Sequence, residues 1–151
     1  MVRTAESLTH SLHALAEREQ AFAKVLDTHG HPEPRVSEPG VVALQRTVVG
    51  QQGSVAAGRS MWNKLTGKFG QPVDLRKLLN ASDAEMREAG MSRQKAGYLR
   101  SLAGLVLSGE LDLAHLPEDD EEAIAQLIKI KGIGRWSAEI YLLFAEGRHD
   151  V

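Results

Sequence analysis

The stretch Leu127-Ile128-Lys129-Ile130-Lys131-Gly132-Ile133-Gly134-Arg135-Trp136-Ser137-Ala138 leaves the chain few options. A helix-compatible apolar run ends at Lys131, and two glycines flank a single isoleucine. A second helical pattern then begins, with Ala138, Tyr141, Leu142 and Ala145 at helical spacing. Gly132 and Gly134 suit a tight turn, because glycine takes positive φ without steric cost. The spacing predicts a helix, a short hairpin and a second helix, with Ile133 pointing into the junction and fixing its angle. The first backbone N–H groups of the second helix are then unpaired. With the helix dipole they make a seat for a phosphate oxygen, and Lys129, Lys131 and Arg135 surround it with positive charge. On the two glycines alone, an ordinary helix–turn–helix corner is the better reading.

The rest of the chain is also patterned for helices. Ser7 to Leu26 reads as one amphipathic helix, with Leu8, Leu12, Leu15, Phe22, Val25 and Leu26 near one face. His10 and His13 lie on it without a third ligand at metal spacing and read as a solvated face. His29 to Gly40, with Pro32, Pro34 and Pro39, is a linker inside the domain, and His29 and His31 read as exposed loop residues. Val41–Val49 and Val55–Leu65 are helices joined through Gly50-Gln51-Gln52-Gly53-Ser54, where Ser54 is a good N-cap. Ser82 and Glu85 form a capping box, and Ser92 caps a helix whose buried face holds Tyr98, Leu99, Leu102, Leu105 and Val106. Arg93 and Lys95 at its start suit either a phosphate contact or a solvated helix end.

The acids Glu118 to Glu122 suit the positive end of the next helix dipole, while Lys129 and Lys131 close its other end. That polarity aims the positive end of a nearly neutral protein at a partner: the net charge is only -2, so any contact with a polyanion must be local. No strand pattern stands out. The expectation is one all-α domain over 1–151, in two helical clusters flanking a cleft. There are no cysteines, which excludes a disulfide scaffold, a thiol nucleophile and a cysteine-held zinc or iron–sulfur site. No run approaches the ~20 apolar residues of a membrane span, and Met1 to Thr9 lack an apolar signal core. The expected setting is the cytoplasm, at the nucleoid, with no membrane partner and a monomeric state.

Lys-Gly-Ile-Gly-Arg-Trp-Ser-Ala, over 131–138, resembles the helix-hairpin-helix of the DNA glycosylase superfamily, in its 3-methyladenine DNA glycosylase II branch. Val48-Val49-Gly50-Gln51-Gln52, with Ser54 and Ala56, resembles the loop that such enzymes push into the DNA stack; Gly90-Met91-Ser92, followed by Lys95-Ala96, is also similar. The resemblance covers about 38–151 and places the helix-hairpin-helix at about 119–147. It implies DNA contacts at Lys131, Gly132, Ile133, Gly134, Arg135 and Ser137. It puts Gln52 at the wedge, with Gln51 beside it, and a base pocket at Trp136 and Ile140; Trp136 suits a core anchor equally well.

The same resemblance implies monofunctional hydrolysis of the N-glycosidic bond of an alkylated purine such as 3-methyladenine, flipped out of double-stranded DNA. Bifunctional relatives carry a Schiff-base lysine at position 136, where this chain has Trp136. Members of the family carry their catalytic aspartate just beyond a segment resembling Arg148-His149-Asp150-Val151. Asp150 matches the aspartate before it, so no catalytic residue is assigned within the chain, which looks incomplete at its C-terminus. Glu139 and Glu146 read as solvated. No cofactor is expected beyond a monovalent cation, Na or K, on the backbone carbonyls of Ile128, Ile130 and Ile133. Two alternatives stay open: a non-catalytic helix-hairpin-helix DNA-binding module or catalytically incomplete fragment, and a helical interaction domain that does not bind DNA.

Overall fold

The computed structural model describes residues 5–149 and 151, and these are helical with no strand among them. In chain order the helices are α1 (Ala5–Arg18), α2 (Gln20–His29), α3 (Val41–Gly50), α4 (Val55–Phe69), α5 (Leu75–Asn80), α6 (Asp83–Glu88), α7 (Arg93–Ser108), α8 (Asp120–Leu127) and α9 (Arg135–Phe144). α7 packs on α3, α5 and α6; α3 also meets α4 and α9; and α8 packs on α9. Thus α4–α7 form one group and α8–α9 the other, with α3 shared between them. Leu44, Leu65, Leu78, Leu99, Leu102, Leu127 and Leu142 are fully buried at the centre.

The helix starts follow the capping chemistry. Ser54 accepts the Ala57 N–H, Ser92 accepts the Lys95 N–H, and Ser82 and Glu85 make a reciprocal box. Asp119 caps α8 at 2.9 Å from the Glu122 nitrogen, so the acid block does sit on that helix's positive end. Two helix boundaries depart from expectation. α8 stops at Leu127, so Lys129 and Lys131 belong to the hairpin rather than to the helix. The single helix expected over Ser7–Leu26 is broken at Glu19, which adopts extended dihedrals and caps Ala21 with its own carboxylate.

The chain folds back after that break, bringing His31 Nε2 to 3.2 Å from His13 Nε2. Histidines expected to be solvated separately are therefore paired across this fold. No residue of α1 or α2 is buried, and Leu15, Phe22 and Val25 are exposed. The connection to the rest runs through the linker, where the Ser37 N–H donates to the Phe144 carbonyl and Gly40 N–H donates to the Tyr141 hydroxyl, at 2.9 and 2.8 Å.

Candidate nucleic-acid interface

The hairpin is built by three short backbone bonds: Lys129 N–H to Gln126 O, Ile130 N–H to Leu127 O, and Ile133 N–H to Ile130 O. Ile130 and Ile133 are buried in the α8–α9 junction, as the position between the glycines requires. The two glycines differ. Gly132 has φ +83, and a Cβ there would lie 2.2 Å from the Tyr98 ring. Gly134 has an ordinary extended backbone, φ -93 and ψ 178, and a Cβ there would meet nothing within 4 Å. Positive φ therefore explains only the first glycine. Gly134 is the N-cap of α9 and offers no side-chain cap, which leaves the first-turn N–H groups of α9 open to an outside acceptor.

The Gln51–Gln52 loop sits against this hairpin. Gln51 Nε2 donates to the Gly132 carbonyl at 2.9 Å, bridging residues far apart in sequence. Gln52 is exposed and has φ +57, a left-handed backbone unusual for a residue other than glycine. Behind the loop, Lys95 Nζ donates to the Val49 carbonyl at 2.7 Å and lies 3.8 Å from Met61 Sδ. Burial holds its amine below the usual lysine range. Lys95 is thus a strut for the end of α3, rather than a solvated helix end; Arg93 remains exposed.

Gln51, Gln52, Gly132, Trp136 and Ser137 share one recess of about 370 Å³, with Ser92, Gln94, Lys95 and Tyr98 on its other wall. Trp136 is 73% exposed, which removes the core-anchor reading and leaves an indole face open to solvent beside the loop. Ile140 is half-buried and outside the lining; Lys131 is exposed at the hairpin tip, its N–H held by Ser101 Oγ at 3.1 Å. Asp150 lies outside the described residues.

Arg135 is turned aside. Its guanidinium pairs with both carboxylate oxygens of Glu121 and, at 2.8 Å, with Glu139, and these bonds hold its proton more tightly than usual. Because α8 is short, the acid block is within reach of α9, so the expected separation of acids from the hairpin is only partial. Glu139 and Glu146 are not simply solvated: the first binds Arg135, and the second binds Arg148 at 2.8 Å. Arg148 also holds Asp120 and the Pro117 carbonyl, tying the end of the described chain to the start of α8.

An extended recess, an uncapped helix N-terminus, an exposed tryptophan and a glutamine loop are thus assembled from three separate parts of the chain. Residues 45–149 match the HhH-GPD superfamily base excision DNA repair protein family. The chain belongs to this superfamily. It is 35% identical over 116 residues to DNA-3-methyladenine glycosylase 1 of Schizosaccharomyces pombe, a match covering 72% of this chain and 49% of that one. To the DNA-3-methyladenine glycosylase of Saccharomyces cerevisiae it is 32% identical over 128 residues, covering 78% and 43%. It therefore spans about half the length of these glycosylases.

Among solved structures, the Schizosaccharomyces pombe enzyme Mag1 in complex with abasic DNA superposes with a TM-score of 0.79 at 26% identity, over 94% of this chain and 72% of that one. DNA-3-methyladenine glycosidase of Bacillus halodurans superposes with 0.76 at 28% identity, over 90% and 64%. The all-α HhH-GPD fold is thereby established.

Tyr98, expected on the buried face of α7, does pack against the core there, and it also lines the recess. Its ring is half-buried against Gly132, and its hydroxyl accepts from Gln94 Nε2 at 2.6 Å. Nothing local marks that pairing. Another feature of the interface does have a signal in the chain: residues 39–73 contain no Asp or Glu, but do contain Arg46, Arg59, Lys64 and Lys68.

Proposed function

We propose that this HhH-GPD chain is the DNA-gripping and base-selecting part of a monofunctional glycosylase, which removes alkylated purines such as 3-methyladenine from double-stranded DNA. The observation that carries the reading is the shared recess, where the Gln51–Gln52 loop, the uncapped start of α9 and the exposed Trp136 face one space. The N–H groups after Gly134 are the seat for a lesion-strand phosphate. Arg135 contributes its backbone and positions α9 through Glu121, while Lys131 supplies the free charge. Gln52, on its left-handed backbone, is the wedge that fills the space left by the extruded base.

An alkylated purine carries positive charge and is already a good leaving group. The indole of Trp136 selects it by stacking and cation–π attraction. Water is the nucleophile, since the side chain at 136 cannot form a Schiff base. The carbonyls of Ile128 and Ile133 make no hydrogen bond among the described residues, and that of Ile130 accepts only the Ile133 N–H. They fit a monovalent cation, Na or K, which would add positive charge beside the phosphate seat.

A second reading has its own observation. No Asp or Glu lines the recess among the described residues, so the carboxylate that would stabilise an oxocarbenium-like sugar is not supplied there. This favours a chain that grips and flips DNA without cleaving the base from it. Release of free base from randomly methylated duplex DNA, with binding followed in parallel, separates the two. Base release supports the glycosylase reading; binding without release supports the second; neither overturns both. Gln52→Ala is expected to weaken binding to abasic duplex more than to single strands, and equal losses would remove the wedge assignment.

A further inference from the structure

The Gln51–Gln52 loop has a second flank. The last turns of α3 and the first turns of α4 diverge from it and enclose an open cleft of about 470 Å³. Gly50, Gly53 and Ser54 line its loop end, and it shares no lining residue with the recess beside the hairpin. Its floor is narrow because α4 approaches α3 closely at Gly58, where a Cβ would meet Gly50 Cα at 3.4 Å. Arg46 and Arg59 stand in its walls.

The Arg46 guanidinium lies over the Trp62 ring, 4.8 Å from the centroid. Trp62 is buried, so this stack fixes the arginine's plane while leaving its N–H edge available to a bidentate oxygen acceptor. Among the described residues neither Arg46 nor Arg59 meets a carboxylate, while Lys68, further along α4, is paired with Glu88. No acid exists anywhere in residues 39–73 to neutralise the cleft. In a chain of net charge -2, two uncompensated arginines converging on one cleft mark a seat for an anion.

We propose that the Arg46–Arg59 cleft is a second phosphodiester site, which holds the backbone of the strand opposite the damaged base. The inference rests on the reading of the chain as a DNA-gripping glycosylase part. A loop that enters the stack has one strand on each side. The hairpin and its phosphate seat occupy one flank of Gln51–Gln52, and the arginine cleft occupies the other. Together they straddle the duplex, and the wedge is held from both sides.

The test uses the whole chain and a fluorescent duplex carrying a stable abasic analogue, with affinity followed by anisotropy across a salt series. Each phosphate contact adds about 0.9 to the slope of log K against log salt. Arg46→Gln with Arg59→Gln is expected to lower that slope by about two on the duplex, and to leave binding to the lesion strand alone unchanged. Arg59→Gln by itself, which disturbs no stacked ring, is expected to lower it by about one. Neutral methylphosphonates in the opposite strand should weaken the unmodified protein and have no effect on the double variant. The same patch in the lesion strand should weaken both. An unchanged slope in the variants, or sensitivity confined to lesion-strand methylphosphonates, overturns the cleft assignment and leaves the glycosylase reading standing. Failure of the unmodified protein to bind any duplex overturns both.

Discussion

At the scale of single residues, Gly132 and Gly134 carry different duties. Gly132 is fixed by the fold: its φ is +83, and Tyr98 occupies the space of a Cβ. Gly132→Ala is expected to cost at least ~2 kcal/mol, from left-handed strain plus steric overlap, read as a shift in the denaturation midpoint. Gly134 has no such need within the chain. Gly134→Ala is expected to cost no more than the ~1 kcal/mol by which alanine is the poorer N-cap, and to weaken binding to every DNA sequence, because an added methyl crowds a phosphate approaching the open α9 N–H groups. Equal destabilisation by the two substitutions would remove the distinction. Gln45 poses a different residue-scale problem. It is 1% exposed, and among the described residues neither its Nε2 nor its Oε1 has a partner. Gln45→Met keeps the volume and removes two unsatisfied groups, so unfolding by urea should show a gain of about 1–3 kcal/mol.

At the scale of elements, the start of α9 is joined to the start of α8 by Arg135, Glu121 and Glu139. Bonding to Arg135 holds the Glu121 carboxylate below its ordinary range. A depressed folded-state value means that the stabilisation is present above the unfolded value of about 4.5 and is lost as pH falls through the folded one. Glu121→Gln should therefore be less stable than the unmodified protein at neutral pH and should converge with it in acid, seen in denaturation midpoints from pH 7 down to pH 3. A constant offset across that range would rule out the strut as a titrating contact. Both the helix starts and these struts have local causes, but only the starts could be read in advance. Ser82 with Glu85, and Ser54 or Ser92 ahead of a periodic run, carry their signal within four residues. The break at Glu19 carries none, because no glycine or proline marks it and glutamate is not a favoured cap.

At the scale of the molecule, α3 to α9 share one buried cluster, whereas α1 and α2 contribute nothing to it. Their main packing is against each other. A chain beginning at Val36 is expected to keep a single cooperative thermal transition, within a few degrees of that of the longer chain, since no core residue is removed. A drop of more than ~10 °C would show that the N-terminal pair supports the core. The same architecture decides how a nearly neutral protein meets a polyanion. The α3–loop–α4 unit is left wholly free of acids, which lie instead on α1, α2, α6, α8 and α9 and in connections elsewhere in the chain. The potential at the interface is thus set by segregation along the chain rather than by net charge.

The helical class, the hairpin and its buried isoleucine, most of the caps, and the family are all legible in the order of the residues. Each is encoded locally, in periodicity, capping residues or one contiguous motif. Packing settles the rest: which glycine the fold requires, that Trp136 faces solvent, that Arg135 is held by Glu121, and that Gln51 reaches the Gly132 carbonyl. Those facts depend on contacts between residues brought together from distant parts of the chain. No local pattern carries the direction in which a side chain leaves its helix to meet such a partner.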